Sequence, residues 1–388
     1  MRIFVLGAGA TGSLLAQLLA RQGHIVRCGD KDPERARRFL GKKSPIPIEA
    51  VNARNLRAIV RAARGSHLIV NALPAVFNQI VLRAALRLRA HYLDLGSHLS
   101  RHPFKSEQLG FEKRFQEKKR TAVINAGVAP GLTNLLAKRA AEMLDSIEAV
   151  QIRLFEETES EDPISTWSAE VSFDEATSRP RIYRAGRFRL AKRFSERERF
   201  RFPSPIGEMG VVLAAQDEVA TLPYFLSLRE MDVKIGGNEM DRLRRWYRQG
   251  KLSASRGLIA KRFPRTPTPR QVARLIRRGI LHNARFAAAI LVRGVRKDQP
   301  TLVRWDCLFP SLYLIRLRGI HTTPIAYSTA HLAALFVKHF PRESGGVHPP
   351  EALPAATRAA ILADARSRDF RITMKVTRLR KPEDEEEF

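Results

Sequence analysis

The start of this chain leaves little freedom. An apolar run, Arg2–Leu6, leads straight into Gly7-Ala8-Gly9-Ala10-Thr11-Gly12, and a helical pattern follows from about Thr11 to Gln22 before stopping at Gly23. A strand, a turn with three spaced glycines and a helix form the opening of a dinucleotide-binding βαβ unit. The first glycine permits the tight turn, the second lets a pyrophosphate reach the backbone, and the third lets the helix lie close to the strand. Phosphate would then meet amides at a helix N-terminus, where the helix dipole favours negative charge. Gly7, Gly9, Ala10, Thr11 and Gly12 are the candidate contacts.

The same grammar continues to about residue 147. Short β-branched runs at His24–Asp30, Ile46–Val51, His67–Leu73, His91–Leu95 and Thr121–Ala126 alternate with amphipathic helical segments, and Asp32-Pro33 supplies an N-cap and first turn. This alternation predicts an α/β fold with a doubly wound parallel sheet of the Rossmann type. Asp30 ends the second strand, about 20 residues past the glycines, where an acid accepts hydrogen bonds from the adenosine ribose. That acid points to NAD, because a carboxylate repels a 2′-phosphate, while the neighbouring Lys31 and Arg35 leave NADP open. Asn71-Ala72-Leu73-Pro74 ends the fourth strand. Asn71, Ala72 and Pro74 are candidates for lining the cofactor crevice at the strands' carboxyl ends, with an ordinary turn as the alternative.

From about Glu148 the pattern changes. Ala149–Phe155, Arg181–Leu190, Glu198–Phe202, Ala288–Arg296 and Thr301–Leu308 read as strands, with tight turns at Ala185-Gly186 and near Lys297-Asp298-Gln299-Pro300. Asp241–Gln249 and Pro269–Asn283 read as helices. The expected result is a second, α+β domain on a largely antiparallel sheet. Thr322 to Phe340 is a helix too apolar to stand alone, and is expected to return to the first domain. The expected division is 1–147 plus 321–368 for the nucleotide domain and 148–320 plus 369–388 for the substrate domain.

Candidate chemistry lies at the ends of the fifth and sixth strands. Asp94-Leu95-Gly96-Ser97-His98 and Asn125 to Asn134 should face one crevice. Removing a proton from an amine requires a base there, and Asp94 and His98 are the candidates. Asp94 fits equally a structural role bonding loop amides, and His98 a plain surface histidine. Asn125, Gly127, Pro130 and Gly131 are candidates for holding substrate against a helix N-terminus. In the second domain Trp167 and Ser168 could wall a pocket, or the Trp could be core. The acidic run Glu156 to Asp162 reads as a solvated loop.

The net charge of +29 raises the question of a polyanion partner. Its excess divides almost evenly between residues 1–147 and the remainder, as on a generally basic surface, so nucleic acid is not the expected partner. The acidic end Glu383 to Glu387 reads as a solubilising tail. Two cysteines, Cys28 and Cys307, offer neither a disulfide framework nor metal-ligand spacing, so no metal is expected. The apolar run at residue 2 leaves no room for a charged leader, and no stretch is long and apolar enough to span a membrane. A cytoplasmic protein, with a homo-oligomer as one option, is the expectation.

Taken together, the chain resembles the saccharopine dehydrogenase family. The resemblance is carried by the glycine turn, Asn71 to Pro74, Gly127-Val128-Ala129-Pro130-Gly131-Leu132, Thr166-Trp167-Ser168, Ala185-Gly186-Arg187, Val292 to Asp298 and Gly346-Val347-His348-Pro349-Pro350-Glu351, in that order. It implies an NAD(P)-dependent oxidoreductase acting at the C–N centre of a lysine-like amino acid or derivative. The chain departs from the family at Ala129, where saccharopine reductases carry Asp, and near Arg89, where they carry Lys. Those departures lean toward a lysine-6-dehydrogenase-like enzyme. They also admit a catalytically inactive nucleotide- or anion-binding regulator on the same fold. Gln299-Pro300 replaces the family's usual glycine.

Overall fold

The computed structural model describes residues 1–165, 168, 177–251, 266–367 and 369–379. Two sheets organise it. The first six strands are β1 (Arg2–Leu6), β2 (Ile25–Asp30), β3 (Ile48–Ala50), β4 (Leu68–Asn71), β5 (His91–Asp94) and β6 (Thr121–Val123). The middle of the chain contributes β7 (Ser146–Ser160), β8 (Arg181–Arg184), β9 (Arg187–Leu190), β10 (Glu198–Arg201), β11 (Glu208–Leu213), β12 (Glu230–Gly236), β13 (Leu281–Arg296) and β14 (Gln299–Leu308), and the chain ends with β15 (Gly346–His348) and β16 (Arg371–Arg378).

The first sheet is wholly parallel, in the order β15-β6-β5-β4-β1-β2-β3. Its central strands are apolar runs buried on both faces, as helices on both sides require. The order reverses between β1 and β4, which sets the crevice at the carboxyl ends of these strands. The sequence pattern identified six of the seven strands. β15 is three residues long, below the length at which periodicity is visible.

The second sheet is mixed and mostly antiparallel, in the order β10-β11-β12-β7-β13-β14-β16, with the β8–β9 hairpin attached to β12. β12 and β7 pair in parallel at its centre. Three corrections to the sequence reading arise here. The Pro269–Asn283 helix is shorter, Pro269–Arg277, because Gly279 at φ +66° ends it and Leu281 opens β13. Glu156 to Ser160 continue β7 rather than forming a loop, and Arg285 on β13 pairs with both Glu157 and Glu159. Finally, β11, β12 and β16 were not anticipated. β12 alternates Met231, Val233 and Ile235 with Asp232 and Lys234, yet both charged residues are buried, so its polar positions do not mark a wet face.

The polar side of β7 and β12 is an ion network. Arg153 is 1% exposed and donates to Asp232 and Glu198, while Lys234 also reaches Glu198 at 2.6 Å and Arg184 reaches Asp232 at 2.8 Å. The opposite side shares one apolar core with the helix Leu132–Ala141. The late apolar helix spans Pro324–Lys338, capped by the Thr323 hydroxyl, and packs along the Ala10–Arg21 helix with nearly every residue buried. β16, by contrast, pairs with β14 in the second sheet. No helix among the described residues is long and apolar enough to cross a membrane.

Candidate functional site

The glycine turn is held from below and open above. Gly7 has φ +97°, and a Cβ there would meet the backbone of Ala72 at 2.9 Å. A Cβ on Gly12 would lie 1.9 Å from the Gly7 carbonyl oxygen and 3.0 Å from the Ala72 methyl. These two glycines are therefore fixed by the close approach of the helix to β1 and β4. At Gly9 nothing lies within 4 Å of a notional Cβ, so its freedom is not used by the protein itself. The Ala10–Arg21 helix has Gly9 at its N-cap with no side chain capping it and no acid in its first turn. Ala10 and Thr11 stand in that first turn. An open glycine and an uncapped helix start fit a pyrophosphate.

Asp30 makes two backbone contacts that the sequence reading did not include. Its Oδ2 accepts from the Ala8 amide at 2.8 Å and its Oδ1 from the Asp32 amide at 3.0 Å. The acid at the end of β2 thus braces the turn after β1 while remaining half-exposed. Asn71 is fully buried. Its amide donates to Asn78 at 2.8 Å, and Asn78 donates onward to the Gly96 carbonyl at 2.7 Å. Asn71 therefore ties the end of β4 to the loop after β5, while Ala72 and Pro74 are half-buried beside the glycine turn.

Asp94 is 1% exposed and has three donors: the Asn125 amide at 2.8 Å, the Tyr92 hydroxyl at 2.9 Å and the Gln108 amide at 3.0 Å. Burial nevertheless pushes its carboxyl up to about 7, against these hydrogen bonds. Of the two roles open for Asp94, these contacts are those of the group that bonds loop amides. Asn125 sits in the left-handed region at φ +61° with its Oδ1 accepting from the Ser97 hydroxyl at 3.0 Å, and its buried Nδ2 has no partner among the described residues.

Gly127, Pro130 and Gly131 form a buried knot. Gly127 N donates to the Pro130 carbonyl at 3.1 Å, and Gly131, at φ +139°, leaves no space for a Cβ against the Gly127 oxygen. Ala129 is the half-buried member of that turn. Ser168 is half-buried, and Trp167 lies outside the described residues. Arg89, the other departure from the family pattern, is an exposed left-handed C-cap at the amino end of β5, away from the crevice.

His98 is half-buried, with Nδ1 3.2 Å from Glu107 Oε2. Glu107 is nearly buried and accepts from the Arg101 amide at 2.6 Å and the Ser100 hydroxyl at 3.0 Å. Burial works against its charge, but these hydrogen bonds and His98 hold its carboxyl below the usual range. A second carboxylate arrives from the other sheet: Asp217, after β11, accepts from the Ser97 amide at 2.9 Å. Burial pushes the Asp217 carboxyl up, against the opposing pull of Arg181 on β8, which also donates to the Pro103 carbonyl at 2.5 Å. Phe104 stacks on Phe188, and Lys105 lies 5.3 Å from the Tyr224 ring centroid, so the loop after β5 is clasped by the second sheet. Glu107, Gln108, Arg181 and Asp217 escaped sequence reading because they are isolated polar residues whose meaning depends on contacts far along the chain.

Comparison with known proteins agrees with the family resemblance. Residues 3–123 match the family described as Saccharopine dehydrogenase NADP binding domain. The chain is 23% identical to Carboxynorspermidine synthase of Vibrio alginolyticus over 264 residues, 61% of this chain and 63% of that protein. It is 22% identical to the Vibrio cholerae protein of the same name over 260 residues. The chain thus matches less than two thirds of the length of these relatives. A solved structure, saccharopine dehydrogenase (L-Glu forming) from Saccharomyces cerevisiae, superposes with a TM-score of 0.70 over 98% of this chain and 100% of that one, at 10% identity, which shows a shared fold.

Proposed function

Starting from an N-terminal unit of the saccharopine dehydrogenase type, we propose that this chain is an NAD(P)-dependent oxidoreductase working at the C–N centre of a lysine-like amino acid or a related carboxylated amine. The observation that carries the reading is the joining of two sites. The glycine turn and Asp30 lie at one end of the crevice, and the loop after β5 brings His98, Glu107 and Asp217 together at the other.

When bound, the nicotinamide supplies hydride transfer. The protein's own part is binding, orientation and proton handling. Gly9, Ala10 and Thr11 receive the pyrophosphate, and Asp30 takes the ribose while bracing Ala8, which favours NAD over NADP. His98 moves the amine proton, with the Glu107 carboxylate 3.2 Å from its Nδ1. Asp217 draws the cationic nitrogen, and Asp94 holds the two loops in register through Asn125 and Gln108. Asn125, with an unpartnered buried amide, and Ser168 serve the substrate. Gly127, Pro130 and Gly131 shape the wall behind it. A cytoplasmic enzyme with a small amine or amino-acid substrate is the consistent setting.

The test is reduction of NAD and NADP by the purified protein with lysine, saccharopine and carboxynorspermidine, followed at 340 nm (the absorbance of the reduced cofactors) and paired with cofactor titration. Turnover on one of these amines supports the reading. Tight cofactor binding with no turnover on any of them rejects it in favour of a non-catalytic nucleotide binder.

A further inference from the structure

The amino end of the parallel sheet, opposite the crevice, carries a second, unassigned feature. The amino ends of β1, β2 and β4 surround a cavity of about 270 Å³ lined by Arg2, Ile3, Ile25, Arg27, Arg64, Gly65 and Ser66. Two of its guanidinium groups are anchored by backbone. Arg2 Nε donates to the Gly65 carbonyl at 2.6 Å, and Arg27 Nη2 donates to the Arg64 carbonyl at 2.9 Å. The same short turn after the Leu56–Ala62 helix therefore orients both cations, and its exposed Arg64 also lines the cavity. Anchoring of this kind removes much of the ordering cost of binding an anion with long side chains.

Two imidazoles stand next in the chain to the cavity-lining residues Ile25 and Ser66. The Arg2 amide donates to His67 Nδ1 at 3.3 Å, and the Met1 ammonium lies 3.2 Å from His24 Nδ1. A ring nitrogen that accepts an N–H carries no proton, so each ring presents Nε2–H as a donor. Both rings are held toward the neutral form by burial and by nearby cations, among them the N-terminus, Arg2 and Arg342. One acid opposes this: Glu49, 2.8 Å from Arg27. The local field is thus strongly positive, on a fold whose cofactor lies at the other end of the strands.

We propose that this cavity is a second ligand site, for a compact multivalent phosphoanion, held by Arg2, Arg27 and Arg64. Its size suits a phosphate group or a short phosphoester rather than a nucleotide. The exposed Ile25, 68% accessible, offers an apolar wall for whatever the phosphate is attached to. The two anchored guanidinium groups give planar, charge-assisted contacts to phosphate oxygens.

The test is isothermal titration of inorganic tripolyphosphate into the full chain, with and without saturating NAD, for the parent, Arg64→Glu and Arg64→Ala. Arg64 is exposed at a turn, so neither variant threatens the fold, and thermal melts confirm this. Binding that persists under NAD and weakens about tenfold or more in Arg64→Glu, with a smaller loss in Arg64→Ala, supports the site. Tripolyphosphate that NAD displaces one for one belongs to the glycine turn and overturns the proposal. So does affinity unchanged in both variants. Single-stranded oligonucleotide or anionic vesicles bound more tightly than tripolyphosphate, through the same Arg64, would make this a macromolecular surface and also overturn it.

Discussion

The backbone amide of Ser97 donates to the Asp217 carboxylate at 2.9 Å, joining two residues 120 positions apart. One belongs to the loop that ends β5 of the parallel sheet, the other to the turn that follows β11 of the mixed sheet. The contact places a charged group from the second sheet at the crevice of the first, beside His98. It also makes the position of Asp217 a property of both sheets at once.

Asp217→Asn keeps the size and one acceptor of the carboxylate while removing its charge. Cofactor affinity should stay within about twofold, and kcat/KM for an amine substrate should fall by about 10²-fold or more, the range for losing a positioned charged group. Fluorescence titration of the cofactor beside steady-state rates checks this. An unchanged kcat/KM would remove Asp217 from the proposed machinery.

Two glycines three residues apart should fail differently. Gly12→Ala forces a Cβ into the Gly7 carbonyl oxygen, so it should cost about 1–3 kcal/mol of stability as well as cofactor binding. Gly9→Ala meets nothing, so melting should be unaltered and only cofactor affinity should drop. Equal melting temperatures for the two variants would contradict this account of the turn.

Asp30→Ala removes the acceptor of both the Ala8 and Asp32 amides. Leaving such donors without a partner costs about 1–3 kcal/mol, so NAD affinity should fall by about tenfold or more. With the negative charge gone, the NADP-to-NAD affinity ratio should rise. Competitive titration with both cofactors measures each effect.

Glu218 and Glu351 are buried carboxyls with one oxygen each bonded, to the Thr133 hydroxyl at 2.9 Å and the Asn134 amide at 3.0 Å, and the other without a partner among the described residues. Burial pushes both up to about 7, helped for Glu218 by Asp217 and Glu351, while Lys138 acts in the opposite direction on Glu351. An acid raised by the fold is protonated when folded and ionised when unfolded between its two pKa values. Its contribution is therefore full below about 4.5, falls as the pH rises to about 7, and is flat above. Glu351→Gln should melt higher than the parent at pH 8 and close to it at pH 5. The reverse order in differential scanning calorimetry would refute this.

Arg153→Ala leaves Asp232 without its buried guanidinium partner. The expected loss is about 3–5 kcal/mol, the usual result of breaking one side of a buried pair. Chemical denaturation, with the midpoint read at constant slope, measures it.

The parallel sheet was legible because its strands are buried on both faces and its helices carry their own caps, as at Asp32 and Gly23. Asp30 was legible by spacing, but its bond to Ala8 was not, since no local pattern records a contact across 22 residues. β12 escaped notice because its charged positions are buried against Arg153 and Glu198, so its alternation does not mean one wet face. The site was half legible. His98 stood out at a strand end, whereas Glu107 and Asp217 are ordinary acids until the fold brings them to the His98 and Ser97 backbone and ring.

The late return of the chain to the parallel sheet bears on how the protein is made. The Pro324–Lys338 helix covers the Ala10–Arg21 helix, and β15 completes the sheet edge at β6. The helix pair closes a loop of more than 300 residues, and β15 closes one of more than 220 onto β6. Until those loops close, the Ala10–Arg21 helix lacks the helix that packs along it and β6 is a bare edge. Such contacts carry a large loop-closure cost and fold slowly. Until these late segments dock, the parallel sheet is the part of the protein most open to aggregation.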